Sequence, residues 1–512
     1  MRLDRSSFSL LVALASLSLL GACREALVLH RTLLKPDQAA NLSPRSPYVK
    51  AHLLDGGVVL FSQWTVDEEA GTLLGQARRF SASRKALAEG FTTLPLDSAV
   101  LLETNTLERF RGKAVLQGMA GFYLVGDLLC ISVPKACFGS CPTFYTLDEG
   151  EALQAEGFSA SIAPALEATD VDALCRPHGL GRDFTLEVRN EALETHAIRH
   201  ADLLLLPRQP GEEILRDSQG AFWTAREMQA PTSAPGVSRV ELAALSNKDG
   251  QEWSEGADSL DLGRRRQLEF TFPTSGGDRQ GVAICGRQSL LTTFVFYQAL
   301  AWMGTRAGDA LAALERGEFH WDGGIGDLAE VHVSVWDGGQ WRLAGSFSEV
   351  GPLALDEHVV PLPADLPDEE TRRVRLDFTQ GAWRWDRVAL ARLDAAAEPL
   401  RVVPQAVTRG GAPAPEALAA LQDPACLLMT EPGDAYRLHY AIPAGHEGDV
   451  AFLETRGWYL EWMREEWLKE ENPRRLASLL RDPARELKAL APSYKAVEAE
   501  MDKVFWGSRY AR

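Results

Sequence analysis

The chain has 512 residues, 46% of them hydrophobic and 24% charged, with a formal net charge of −18. That length allows about three domains, and the composition is that of a packed globular chain and not a disordered one. The acidic balance, with no long basic run, argues against nucleic-acid binding and against electrostatic docking on anionic lipid.

Arg2 and Arg5, offset in part by Asp4, precede an uncharged run of 13 residues, Phe8–Leu20. This run has the length of a secretory h-region and is too short to span a bilayer as a helix. Leu20-Gly21-Ala22-Cys23 closes it with two small residues and a cysteine. The order resembles a bacterial lipoprotein lipobox. That resemblance implies a signal peptide over 1–22, export, and lipidation of Cys23 as the membrane anchor. Arg24 stands where an Asp favours retention at the inner membrane, so the outer membrane is the expected location. Residues 23–47, with Pro36, Pro44 and Pro47, read as a tether.

Residues 48–130 read as an N-terminal β-meander or small barrel, because Asp55-Gly56-Gly57 and Asp67–Gly71 separate short apolar runs. Within them Ala114–Ile131 is apolar over 18 residues. Gln117, Asp127 and three internal glycines count against a membrane helix there, and a buried helix or strand pair is expected.

Residues 131–280 read as a Cys-motif segment followed by an immunoglobulin-like β module. They carry three compact blocks: Cys137-Phe138-Gly139-Ser140-Cys141-Pro142-Thr143-Phe144-Tyr145, Ala155-Glu156-Gly157-Phe158-Ser159, and Asn190-Glu191-Ala192-Leu193-Glu194-Thr195-His196. The last reads as part of a strand-turn-strand hairpin. On these blocks the chain resembles a family of uncharacterised bacterial exported proteins and lipoproteins. The resemblance implies no activity.

Residues 281–320 read as a buried helical segment, since Ser289–Met303 is apolar nearly all round. Residues 321–395 read as a second β-sandwich-like module, with Val331, Val333 and Val335 alternating with polar neighbours. A connector over 396–449 and a helical C-terminal cap over 450–512 complete the chain. Asn472-Pro473 and Asp482-Pro483 each fit an N-cap followed by Pro at the first helical position. In the cap, Tyr459, Trp462, Met463 and Trp467 are expected along one helical face docked on the protein. The fold class is thus mainly β and multidomain, with a helical cap.

Besides Cys23 there are six cysteines: Cys130, Cys137, Cys141, Cys175, Cys285 and Cys426. An even count in an exported chain makes all six disulfide candidates. Cys137 and Cys141 are one residue too far apart for a thioredoxin-like pair, and His178 is the one histidine close in sequence as a further zinc ligand. A structural staple is therefore preferred to a metal or redox loop. His196 and His200 are spaced as in zincin helices, but on a strand they lie about 13 Å apart, and both are expected to face solvent. Glu167, Asp170 and Asp172 lack the EF-hand pattern, and helix capping by Asp170 accounts for them as well. Gly157–Ser161 begins like a nucleophile elbow but ends in Ser, and no phosphate-binding loop is present. No catalytic residue, metal or cofactor is expected. Trp336, Trp341, Trp383 and Trp385, with Asp386, are candidate glycan-stacking residues, core packing being the alternative.

The expected function is that of a lipid-anchored envelope protein in non-enzymatic binding or assembly with another envelope protein. The alternatives are a thiol- or metal-dependent enzyme at the Cys137/Cys141 loop, and glycan binding through the tryptophans.

Overall fold

The computed structural model describes residues 26–81, 86–110, 141–147, 152–174, 179–274, 279–316, 318, 326–348, 351–463 and 465–507. The chain is mainly β. Its first sheet is antiparallel and six-stranded: β1 (Ala26–Leu34), β2 (Val49–Leu53), β3 (Val58–Asp67), β4 (Thr72–Phe80), β5 (Ala86–Pro95) and β6 (Ala99–Phe110). The strands lie in the order β1-β6-β2-β3-β4-β5, over a core that includes Val49, Ala51, Phe61, Leu73 and Leu102. The expected tether ends early, because β1 pairs with β6 from Ala26↔Phe110 to Leu34↔Leu102. Leu27-Val28-Leu29 and Leu33-Leu34 are strand text, and the three prolines all fall after the end of β1. The apolar run 114–131 lies outside the described residues. Among those described, no helix is long and apolar enough to cross a membrane.

Next come β7 (Thr143–Thr146), β8 (Ala152–Glu156), β9 (Ala168–Ala173), β10 (Asp183–Arg189) and β11 (Glu194–Leu206). They find most of their partners only near the C-terminus. Between lies an insertion that holds β12 (Glu213–Arg216), β13 (Phe222–Gln229), β14 (Trp253–Ser254), β15 (Arg265–Pro273), β16 (Gln280–Gln288), helices α1 (Leu291–Met303) and α2 (Ala307–Glu315), then β17 (Glu330–Trp336), β18 (Trp341–Ser348), β19 (Asp356–Pro361), β20 (Thr371–Thr379) and β21 (Trp383–Ala395).

In the insertion, β13-β12-β19-β16-β21 close into a small barrel through the β13–β21 pairing. A ring of five strands leaves room inside only for small side chains. Ala225, Ala283 and Ala391 pack there with Leu215, Val359 and Leu393. At Gly281 a Cβ would stand 2.4 Å from Leu393 Cδ1. The barrel's outer face presents Val282, Ile284, Val388 and Leu390 to Phe270, Val333 and Leu376 of the sheet β15-β20-β17-β18. The second sandwich expected over 321–395 is only part of this body, which also takes β12, β13 and β15 from the stretch read as an immunoglobulin-like module over 131–280 and β16 from the stretch read as helical over 281–320, and one of its layers is a barrel wall.

The chain then returns. β22 (Leu400–Val402), β23 (Ala406–Arg409), β24 (Ala412–Pro413), helix α3 (Pro415–Gln422), β25 (Leu428–Thr430), β26 (Ala435–Ala441) and β27 (Val450–Glu461) complete the first sandwich. One layer is β24-β23-β26-β10-β7-β8, the other β22-β11-β27-β9 with β25 on β11. Phe144, Leu186, Val188 and Leu438 of one layer meet Ile198, Leu203, Leu205 and Leu453 of the other. Residues 396–449 are thus sheet and not connector, and 450–461 is a central strand and not part of the helical cap. The third block is not a hairpin either, since β10 and β11 belong to opposite layers.

Helices α4 (Pro473–Arg481) and α5 (Pro483–Gly507) form the cap. Asn472 Oδ1 accepts from Arg475 N, and Asp482 Oδ1 from Arg485 N, the two expected N-caps. Leu479, Leu487 and Tyr494 seal the end of the second sandwich beside Phe294 and Trp302 of α1. Trp458, Tyr459 and Leu460 sit in β27, while Trp467 packs face to face with Tyr297 of α1 at 5.2 Å.

Candidate functional site

The three sequence blocks converge. β7, from the first block, is buried throughout and lies between β8 and β10. Thr143 stands opposite Glu156 of the second block, and Gly157 N donates to Pro142 O. Glu191 of the third block accepts from Thr143 Oγ1 and Tyr145 Oη, each at 2.8 Å. Arg189 lies over the Tyr145 ring at 4.2 Å and donates to Glu187.

The backbone of the second block is tightly held. A Cβ on Gly157 would stand 2.9 Å from Thr455 Oγ1. Phe158 has φ of +39°, a region that disfavours a bulky side chain. It is kept there by Asp170, which accepts from Phe158 N at 3.0 Å. β27 supplies the other wall. Tyr459 donates to Ser161 O from its amide and to Ser159 O from its hydroxyl. A Cβ on Gly457 would lie 2.2 Å from Ala197 O and 2.8 Å from the Phe158 ring. This junction also joins the modules, because Glu156 Oε2 accepts from Leu353 N of the insertion at 2.8 Å.

Electrostatically the junction favours a neutral thiol. Burial, then Glu156 and Glu194, push the Cys141 thiol well above 9, so it is not a thiolate nucleophile at neutral pH. Burial and nearby Asp356 push Asp170 up to about 6. His196 and Glu194 are both fully buried, with Nε2 and Oε1 2.8 Å apart. The expectation of two solvent-facing histidines is therefore overturned for His196, whereas His200 keeps partial exposure. Both lie on a central strand of a two-layered module, and His200 reaches Glu454 at 3.1 Å. Asp170 caps no helix, because it stands in β9. Glu167 pairs with Arg199 and Arg456, which hold its carboxyl below the usual range against the opposing effect of burial.

Cys141, Cys285 and Cys426 are free thiols at three separate places, the start of β7, β16 and the approach to β25. Cys130, Cys137 and Cys175 lie outside the described residues, as does Cys23. The tryptophan set divides. Trp383 and Trp385 are 1% exposed and stacked at 4.6 Å within the core, and Asp386 is buried, accepting from Gly250 N. Trp336 and Trp341 are half-buried partners at the end of the β17–β18 pair, with rings 5.6 Å apart. Arg373 lies over both rings and Arg375 over Trp341 at 4.0 Å. Trp341→Ala should change stability by no more than about 1 kcal/mol, the range of partly exposed cation–π pairs. A larger loss in denaturant unfolding would place that ring in the core.

Where the N-terminal sheet meets the first sandwich, Leu101 packs on Trp458 and Leu460, and His52 lies 5.5 Å from the Trp458 ring. A cleft of about 1110 Å³ runs along this seam. Lys35, Asp37 and Asp97 line one side, and Arg409, Glu416, Ala420, Glu431 and Asp434 the other. Thr195 of the third block and Trp462 reach it too, Trp462 Nε1 donating to Thr195 Oγ1 at 2.9 Å. The cleft thus backs directly onto the junction of the three blocks. Sequence reading missed it because its walls come from segments more than 300 residues apart.

No family model matches the chain, and no curated protein does. Among solved structures, an allantoicase is 9% identical, covering 52% of this chain and 97% of its own, with a TM-score of 0.17. The secreted serine protease VesC from Vibrio cholerae is 8% identical, covering 72% and 99%, at 0.14. The GH31 alpha-xylosidase from Xanthomonas citri is 8% identical, covering 82% and 37%, at 0.15. Scores at this level carry no inference about fold or activity.

Proposed function

We propose that the chain is a lipid-anchored protein of the bacterial envelope, tied by Cys23 to the outer membrane, and that it binds a segment of another envelope protein in the cleft at the seam. The cleft is the observation that supports this reading. It is large, it lies between two modules, and its lining combines apolar residues such as Leu33, Leu101 and Met429 with seven charged side chains. Asp37, Asp97, Glu416, Glu431 and Asp434 outnumber Lys35 and Arg409, and Arg409 is itself paired with Asp434. The charge balance suits a cationic partner segment. Cys23 precedes Ala26 of β1 by three residues, so a lipid there would keep the start of β1 within about 10 Å of the bilayer surface. The thiol-enzyme alternative has less support, since Cys141 is buried and its thiol is held neutral.

Two experiments test the reading. Cys23→Ser should abolish acylation and release the protein from the membrane fraction, and continued lipid labelling would overturn the anchor. A photo-crosslinker at Ala420, in the lipidated protein in its native envelope, should give a discrete adduct that Asp97→Lys with Glu416→Lys abolishes. An adduct indifferent to this charge reversal, or none, would overturn the cleft as the binding site.

A further inference from the structure

β22, β11 and β27 lie side by side, and on the outer face of that layer a polar patch interrupts an apolar one. Leu204, Leu206 and Phe452 form the apolar part, packed with Ile214 of the insertion. His200, Asp202 and Leu204 alternate along β11 and share this face. A bulge between Ile198 and His200 sets their phase apart from that of His196. Asp202 is paired in register with Glu454 of β27, and Leu204 with Arg401 of β22. Three adjacent strands thus bring one imidazole, two carboxyl groups and one guanidinium to a single spot.

The distances within this group are short. One ligand atom from each of His200, Asp202 and Glu454 lies within 4.8 Å of the other two, and His200 Nε2 is already 3.1 Å from Glu454 Oε1. Arg401 Nη1 stands 2.7 Å from Asp202 Oδ2 and 2.7 Å from Glu454 Oε1. It occupies the position between two carboxyl oxygens that a small cation would take. We propose that His200, Asp202 and Glu454 are the ligands of a zinc-type divalent cation, for which the Arg401 guanidinium is the exchangeable stand-in.

Three further observations favour this. Asp202 is only 5% exposed, yet its Oδ1 has no hydrogen-bond partner among the described residues, so Arg401 leaves half of a buried carboxyl unsatisfied. Buried polar atoms normally find a partner, and a metal ion would take up this oxygen. Arg401 sits on a three-residue strand with its side chain 46% exposed, so it can swing out without disturbing the layer. Finally, Arg401 and Glu454 line a cleft of about 390 Å³ between the sandwich and the barrel, which gives the cation a route in and leaves a coordination position facing solvent. One imidazole with two carboxylates suits zinc or manganese better than calcium or magnesium, which prefer oxygen alone.

The test is a calorimetric titration of the purified full chain with Zn²⁺ after chelator treatment. His200→Gln and Asp202→Asn should each weaken the zinc affinity by about tenfold or more, and circular dichroism would verify that both remain folded. Arg401→Gln should tighten binding by roughly fivefold, the weight of a half-exposed ion pair that no longer competes. Any thiol-bound zinc is common to all variants and cancels in the comparison. The proposal is overturned if Arg401→Gln takes up no zinc beyond that bound by His200→Gln, or if Asp202→Asn binds as well as the unaltered chain.

Discussion

Glu103→Leu should lower the opening free energy of the N-terminal sheet by about 3–5 kcal/mol, the usual consequence of removing one partner of a buried ion pair. Lys50 is 1% exposed and Glu103 fully buried, with Nζ 3.3 Å from both carboxyl oxygens. Asn105 Nδ2 donates to Oε1, and His52 Nε2 lies 3.0 Å from Oε2. Leucine in place of Glu103 strips the ammonium of its partner in a site that water does not reach. Adding Lys50→Met should recover most of the loss, because two apolar residues of similar volume need no partner. Hydrogen exchange at β2 and β6 is the suitable readout, as a chain of several modules does not unfold in one step. The double variant exchanging as fast as Glu103→Leu would mean that the damage is one of packing, not of charge.

The same cluster sets a pH dependence. Burial lowers the His52 pKa below 6.5, and this outweighs the opposing pull of Glu103. Below pH 6.5 the unfolded chain therefore binds a proton that the folded sheet resists. His52's contribution is full above 6.5 and is lost as the pH falls toward the folded value. Protection of β2 and β6 should weaken over that acidic interval, and His52→Gln should flatten the dependence.

How much of this was legible in the sequence depended on how local the signal was. Alternation at Val331–Val335 and the capped prolines at 473 and 483 were readable because a strand face and an N-cap are fixed by neighbours in the chain. β27 was read as helix because Trp458–Trp467 gives apolar contacts at either period, and only pairing with β11 decides between them. The assignment of 396–449 to a connector failed for a related reason. β22 and β26 are short strands whose partners, β11 and β10, lie roughly 200 and 250 residues upstream, so no local pattern announces the return. The candidate site was half legible. The three blocks stood out as compact polar-aromatic text, but their convergence on Glu191 and the pairing of Asp202 with Glu454 are products of topology. Trp383 and Trp385 show the limit of composition, since the residue type that serves a glycan platform also fills a core, and here the core took them.

Glu191→Leu should cost about 2–4 kcal/mol and, more tellingly, expose Cys141. The carboxyl is fully buried and is the acceptor shared by Thr143 and Tyr145, hydroxyls that are themselves at most 1% exposed. Removing an acceptor from buried donors costs about 1–3 kcal/mol each, because no water replaces it. The loss falls on β7, a four-residue strand between β8 and β10 that carries Cys141 just ahead of its first residue. In the unaltered protein Cys141 is 6% exposed and its thiol is held neutral, so a thiol-specific reagent near pH 8 should leave it unlabelled while the fold is intact. In Glu191→Leu, local opening of β7 should let the reagent in, with Cys285, fully buried on β16, serving as the internal control that stays protected. Labelling of both thiols would mean global unfolding, and labelling of neither would mean that the junction stands without Glu191. Selective labelling of Cys141 would make the three blocks one cooperative unit held by a single carboxyl. A charge change in the adjoining cleft, which shares Thr195 and Trp462 with that unit, should then be felt at Cys141 as well.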